Sequence, residues 1–445
     1  METLMSWMSP LSRRALLWGA RFALAAGGGA VAWWAMRRGL LTPPPAPDPP
    51  FPEADPMPGQ VIVDAANPRW LHYAGGGPLF LCGPGDPEGF LYRGHRRPDG
   101  TRDGDQADLI AKLAGTGANA IYLMAVRSHG GDGDATHNPF IDNDPARGLN
   151  EAVLRQWQGW FETMDRHGIV IFFVFYDDGA RIWDTGDRVG AAEAAFIRAL
   201  VRRFKRHRHL IWVIAEEYQE RYTPRRVHDI AVQIRLADEF AHPIAVHKLA
   251  GLDFSEFAAD PVIDQFAIQY DAPDDAAFHR TVVAAWQAAA GRYNLNLAES
   301  HPRTHGAATR RRNWAIAMGG AYTMVLGMDI AGTAVADLED CGRLRRFMEA
   351  TDFDRMAPRD DLAAAGTTYV LARPGESYIV YGADGPAALG LREMVAGRYD
   401  FTWFDPASGA TVRWQRRPVT SGEAAWRPPP EIGAEVALHL RRSGR

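Results

Sequence analysis

Residues 169–176 read IVIFFVFY and residues 210–217 read LIWVIAEE, and these two stretches decide the fold. Each is a run of β-branched and aromatic residues without polar alternation, as a strand buried on both faces requires. Between them, residues 192–207 (AEAAFIRALVRRFKRH) carry apolar side chains at helical spacing. A buried strand, an amphipathic helix and a second buried strand form one βαβ unit, which implies a parallel sheet covered by helices.

The same alternation extends in both directions. Six further strand candidates are PLFLCG from Pro78, ANAIYLM from Ala118, PIAVHK from Pro243, FAIQYD from Phe266, LNLAES from Leu295 and AYTMVLGMD from Ala321. Residues 151–167 (EAVLRQWQGWFETMDRH) form another amphipathic helix, and helices are expected in most of the gaps. Eight such repeats close a (β/α)8 barrel, assigned here to residues 60–362. After about Ala363 the texture changes to short strands: TTYVLAR, SYIVYG, AALGLRE, YDFTWFDPASGATV and AEVALHLRR. Residues 363–445 are therefore expected to fold as a small all-β sandwich, with a turn at Asp405–Gly409.

The N-terminal part reads differently. Ser12-Arg13-Arg14 precedes an apolar stretch from Ala15 to Met36, so residues 1–40 resemble a Tat-type export element. Ala30-Val31-Ala32 offers a small-residue cleavage site, whereas Arg37-Arg38 directly after the apolar run suits an uncleaved membrane anchor. Both alternatives place the rest of the chain outside the cytoplasm: periplasmic, secreted or tethered. Residues 41–59, rich in proline, form an extended linker.

Composition narrows the function. The net charge of -5 provides no basic stripe for a phosphate backbone, which argues against nucleic acid as a partner. The two cysteines, Cys82 and Cys341, make no CxxC pattern; two buried free thiols are the expected state, with a single disulfide as the alternative. Gly75 to Pro78 (GGGP) precedes a strand and opens no helix, so no nucleotide cofactor is expected, and Gly-x-Ser-x-Gly does not occur. The histidines are scattered and the first barrel strand lacks His-x-His, so no metal is expected.

In a barrel of this kind the chemistry sits at the C-terminal ends of the strands. The fourth strand ends in Glu216-Glu217-Tyr218 and the seventh in Glu299-Ser300-His301. Glycosidic cleavage needs one carboxylic acid to protonate the leaving oxygen and a second carboxylate to attack or to activate water. Glu217 and Glu299 are accordingly the candidate catalytic pair, with Glu216 as the back-up for Glu217. Other strand ends supply candidate substrate-binding residues: Asp86, His129, Tyr176, Asp177, Glu216, Tyr218, His247, Gln269, Tyr270, His301 and Asp329. Trp183 is either a stacking platform for a sugar or a packing residue.

The eight-strand layout, the Trp212–Glu217 strand and the Glu299 strand resemble clan A glycoside hydrolases, more narrowly the apiosidase-like barrels. Pro78 to Asp86 resembles the first strand of that family, and Tyr369 to Thr411 is similar to the sandwich, labelled collagen-binding, that its members often carry. The resemblance covers most of the chain from about Gln60. It implies a retaining glycosidase acting on a poly- or oligosaccharide, with Glu217 as acid/base and Glu299 as nucleophile. One departure is Glu216, where many clan A enzymes have an asparagine that contacts the sugar 2-hydroxyl. That departure keeps open a second reading, a non-catalytic, surface-tethered protein that binds carbohydrate or matrix.

Overall fold

The computed structural model describes residues 47–85, 89–257, 259–301, 303–326 and 329–444. The chain divides into two compact units, Met1–Pro50 and Phe51–Arg445. In the first, only residues 47–50 are described, and they are exposed and irregular. The proposed export element thus lies outside the described residues. No helix among the described residues is long and apolar enough to cross a membrane.

The second unit begins with a two-stranded antiparallel hairpin, β1 (Val61–Val63) and β2 (Leu71–Tyr73), which the sequence reading did not anticipate. Eight parallel strands follow: β3 (Cys82–Pro84), β4 (Ala120–Met124), β5 (Val170–Tyr176), β6 (Leu210–Ala215), β7 (Ile244–Lys248), β8 (Gln265–Gln269), β9 (Asn294–Glu299) and β10 (Tyr322–Leu326). Their order is β3-β10-β9-β8-β7-β6-β5-β4, the sequential order of a barrel that closes between β3 and β4. The closing seam is stitched by Asn119: its Oδ1 accepts from the Cys82 amide, its Nδ2 donates to Phe80 O, and its own amide donates to Cys82 O. Gly83 makes this approach feasible, because a Cβ there would come within 2.5 Å of the Ala120 carbonyl oxygen.

Among the described residues seven helices cover the barrel: α1 (Gln106–Thr116), α2 (Glu151–Arg166), α3 (Ala191–Phe204), α4 (Pro224–Ala237), α5 (Asp275–Ala289), α6 (Ala307–Gly319) and α7 (Val335–Glu349). Their ends follow local chemistry. Asn150 accepts from the Ala152 and Val153 amides at the start of α2, Thr223 caps α4 ahead of Pro224, and Asp274 caps α5. The α2 helix buries Val153, Leu154, Trp157, Phe161 and Met164, one face at helical spacing. Among the described residues no helix follows β7; loop residues Phe254 and Phe257 cover Phe266 of β8 there instead.

Ladder parity separates the two faces of the barrel wall. Phe173 and Phe175 of β5 pack on Trp157, Phe161, Phe204 and Phe196 of the helical layer. Phe172, one residue out of phase, stacks on Tyr122 of β4, and Tyr122 also meets His247 of β7 at 6.1 Å. Three strand steps separate β4 from β7, so Tyr122, Phe172 and His247 meet across the barrel interior.

From Ala357 the chain is built of strands, with one 3-10 turn at Asp360–Leu362: β11 (Ala357–Pro358), β12 (Ala363–Ala365), β13 (Tyr369–Arg373), β14 (Ser377–Gly382), β15 (Leu389–Met394), β16 (Gly397–Phe404), β17 (Thr411–Val419), β18 (Gly422–Trp426) and β19 (Val436–Arg442). They form one sheet of order β11-β13-β14-β19-β16-β17 and a second of order β12-β15-β18. The Asp405–Gly409 turn is built by Asp405 Oδ1, which accepts from the Ala407 and Ser408 amides. The sandwich packs on the barrel through Trp314 stacked on Tyr381 (4.9 Å), Phe347 on Phe404 (4.9 Å) and paired bonds of 2.8 Å from Arg310 to Glu435. Cys82 and Cys341 are free, buried and adjacent; burial and the neighbouring Cys341 thiol push the Cys82 thiol well up from its ordinary pKa.

Candidate active site

Glu299 reaches the mouth through an irregularity in the β8–β9 ladder. Ala267 pairs with Asn296 and Ile268 with Leu297, yet Gln269 pairs with Glu299, so Ala298 is an extra residue. Such a bulge re-aims the side chain that follows it. On β8 Phe266 packs outward on Phe254 (4.2 Å) and Tyr293 (4.6 Å), so Gln265, Ala267 and Gln269 face the interior. The Gln265 amide donates to Asn294, which places the even-numbered residues of β9 on that face as well. Without the bulge Glu299 would follow Leu297 to the outer side; with it, Glu299 shares the inward face of Gln269. Its carboxylate is 9% exposed, with His301 Nε2 at 3.8 Å. Gly85, beyond β3, lies so close that a Cβ there would meet Ala298 O at 1.8 Å and Met324 O at 1.9 Å.

Glu217 follows β6 in a left-handed conformation (φ 38°, ψ 49°). Its amide donates to His247 Nδ1 at 3.1 Å, and burial depresses the His247 pKa to about 3, so the imidazole is neutral and able to accept. Along the rungs, Val213 pairs with Ala245, His247 with Ala267 and Gln269 with Glu299. Glu217 thus follows the end of β6 and Glu299 ends β9, three strands apart around the same end of the barrel.

Around Glu217 the structure gathers carboxylates. Ligand oxygens of Asp178, Glu217 and Glu220 lie within 4.8 Å of one another, as do those of Asp177, Asp178 and Glu216. Asp177 is buried and paired with Arg127 at 2.9 Å. Oxygen donors without thiol or imidazole would suit a hard cation better than zinc. The sequence reading named neither Asp178, Glu220 nor Arg127, although Asp178 adjoins Asp177 at a strand end and Glu220 follows Glu217 by one short turn.

The remaining candidates divide. His247 and Gln269 line the interior near the pair, and the Tyr270 amide donates to Glu299 O while its hydroxyl bonds Thr281. His129, at φ 64°, bonds Ser128 Oγ through Nδ1, and burial lowers its pKa. Tyr176 is fully buried, donates to Glu193 and packs on Phe196 and Tyr222 in the outer layer. Tyr218 donates to Glu256. His301 is half exposed, and Asp329 accepts from the Ala331 amide, with Arg93 at 3.5 Å. Trp183 packs on Phe140 and Phe196. Asp86 lies outside the described residues. A pocket of about 180 Å³ beyond β9 and β10 is lined by Arg303, Thr304, His305, Asp329, Thr333 and Asp337, with Asp337 Oδ2 buried 3.6 Å from His305 Nδ1.

Residues 67–313 match the family described as apiosidase-like, catalytic domain. No curated protein sequence matches the chain. Among solved structures, one described as a glycoside hydrolase aligns over 86% of this chain and 97% of its own, at 15% identity and a TM-score of 0.64. A glycoside hydrolase family 5 protein from Bacteroides vulgatus aligns over 86% and 94%, at 14% identity and a TM-score of 0.64. At these identities the likeness is one of fold.

Proposed function

Because the chain belongs to the apiosidase-like catalytic-domain family and is thereby a glycosidase with a carbohydrate substrate, we propose that its barrel works by retention, with Glu217 as acid/base and Glu299 as nucleophile. In the first step Glu217 gives its proton to the glycosidic oxygen as Glu299 attacks the anomeric carbon; the bond to the leaving sugar breaks and a glycosyl ester forms. In the second, Glu217 takes a proton from water, the hydroxyl adds to the anomeric carbon, and Glu299 leaves as carboxylate. Asp178 and Glu220 stand beside Glu217, their carboxylate oxygens within 4.8 Å of its own.

The observation that supports this reading is the Ala298 bulge, which turns Glu299 onto the inward face of Gln269. The pocket beside β9 and β10, about 180 Å³, supports a subsite for a single sugar ring. Reporter glycosides test the assignment. Glu217→Gln is expected to lose about 10²- to 10⁴-fold on substrates that need leaving-group protonation, and Glu299→Gln to lose more, because no covalent route remains. Wild-type rates in both variants would refute it. Export by residues 1–40 belongs to the same proposal, and cell fractionation checks it.

A further inference from the structure

The end of the barrel opposite the carboxylates holds a second, differently charged groove. Its volume is about 420 Å³, and it runs along the seam between the barrel floor and the sandwich. Asn67 and Arg69 reach it from the segment before β2, Trp286 from the last turn of α5, Asp354 and Arg355 from the chain after α7, and Arg373 from the end of β13. The α5 and α7 helices run back against the strands, so their C-terminal ends mark the floor.

Arg69 is the centre of the argument. Its guanidinium lies 3.7 Å over the Trp286 ring, and the ring packs against Gly320, where a Cβ would fall 2.4 Å from its Cδ1. The guanidinium therefore rests on a fixed platform. Stacking occupies one face and leaves the N–H edge for an acceptor in its plane. Among the described residues Arg69 has no carboxylate or carbonyl partner, and burial lowers its pKa. Arg355, exposed, likewise has no ion-pair partner among the described residues, while Arg373 is held by Glu376 at 2.9 Å. Facing these three guanidinia in the groove is one carboxylate, Asp354, whose pKa burial raises and which lies near His72. Donors outnumber acceptors.

We propose that this groove is a non-catalytic binding site for the carboxylates of an acidic, uronate-bearing glycan, held chiefly by Arg69 with Arg355 and Arg373. A planar carboxylate matches the planar guanidinium fork, and an open groove along a seam admits a chain rather than an isolated ion. That the polymer is a glycan rests on the glycosidase reading; the anion preference rests on the groove alone.

Calorimetric titration of the full chain with a mannuronate tetramer, and with mannotetraose as the neutral match, tests the proposal. The uronate tetramer is expected to bind, to weaken with added salt, and to lose at least about tenfold in affinity in Arg69→Gln, since a charged hydrogen bond contributes about 1.5 to 3 kcal/mol. Arg355→Gln, at an exposed position that cannot disturb the core, is expected to weaken it several-fold. Glu299→Gln is expected to bind as the wild type does, so a failure of the catalytic assignment would leave this result standing. Equal binding of mannotetraose, no binding of the uronate tetramer, unchanged affinity in both arginine variants, or full displacement by an equal concentration of inorganic phosphate would each overturn it.

Discussion

The backbone amide of Glu217 donates to Nδ1 of His247 across 3.1 Å, so the residue proposed to protonate the leaving oxygen is anchored, through its own main chain, to a buried imidazole on the next strand. The anchor accompanies a conformation that a residue with a side chain resists: φ is 38° at Glu217. Such positions store of the order of 1 to 3 kcal/mol of strain and concentrate at functional sites. Glycine would adopt the same backbone freely. Glu217→Gly is therefore expected to be about 1 kcal/mol more stable than Glu217→Gln in denaturant titration while both lose hydrolysis. Equal stability of the two variants would show that no strain is held there.

His247 gives the protein a pH signature. Burial lowers its folded pKa to about 3, whereas the unfolded imidazole titrates near 6.5. Between these values the unfolded chain binds a proton that the folded chain does not, so stability is full above about pH 6.5 and falls as the pH drops toward 3. One such group contributes a slope of about 1.4 kcal/mol per pH unit. His247→Asn, which still offers an oxygen to the Glu217 amide, is expected to flatten the stability profile between pH 6.5 and 4. Asp165 and Asp352, held near pKa 2 although burial opposes it, by bonds from His209 and from His439 and Ser377, act below that window. An unchanged slope would place the imidazole in solvent.

How much of this was legible in the sequence follows from which forces are local. Strands such as 169–176 and 210–215 announce themselves because both faces are buried, and the paired glutamates because each ends such a run. What could not be read depends on partners. The Ala298 bulge exists only in the pairing of β9 with β8, so the sequence reading placed Glu299 at a strand end without a reason for its inward aim. Tyr176 has the parity of an inward residue, yet Glu193 and Arg226, a buried ion pair between the first turns of α3 and α4, draw its hydroxyl outward. The acidic trios combine residues from two strand ends and a turn. After β7 the aromatic residues of a loop substitute for a helix, and no periodicity signals that.

The cysteines yield a counting experiment. Both are free and fully buried, and burial together with the Cys341 thiol disfavours the Cys82 thiolate, the reactive form. A thiol reagent is expected to find no reactive cysteine in the native protein and two after denaturation without reductant. Two prompt equivalents from the native protein would contradict the burial. None after denaturation would mean that the adjacent thiols oxidise to the disulfide that the sequence left as the alternative.

The seam between barrel and sandwich predicts that the sandwich supports the barrel structurally. Arg310 donates through two nitrogens to Glu435 at 2.8 Å each and through a third to Asp340, while Arg311 reaches the same Glu435 at 3.3 Å. Glu435 is buried, so Glu435→Gln removes the shared counter-charge of two arginines from a site that water reaches poorly. Breaking one side of a buried pair costs about 3 to 5 kcal/mol, against at most about 1 kcal/mol for an exposed pair such as Arg359 with Asp361. Beside it, Trp314 and Phe347 of the barrel rest on Tyr381 and Phe404, and ending the chain at residue 362 would leave those rings in water. Residues 60–362 alone are accordingly expected to aggregate, and Glu435→Gln to lower the melting temperature by roughly the shift that a 3 kcal/mol loss produces in a domain of this size, several degrees. A soluble barrel fragment with full hydrolytic activity would show instead that the sandwich is an independent accessory unit.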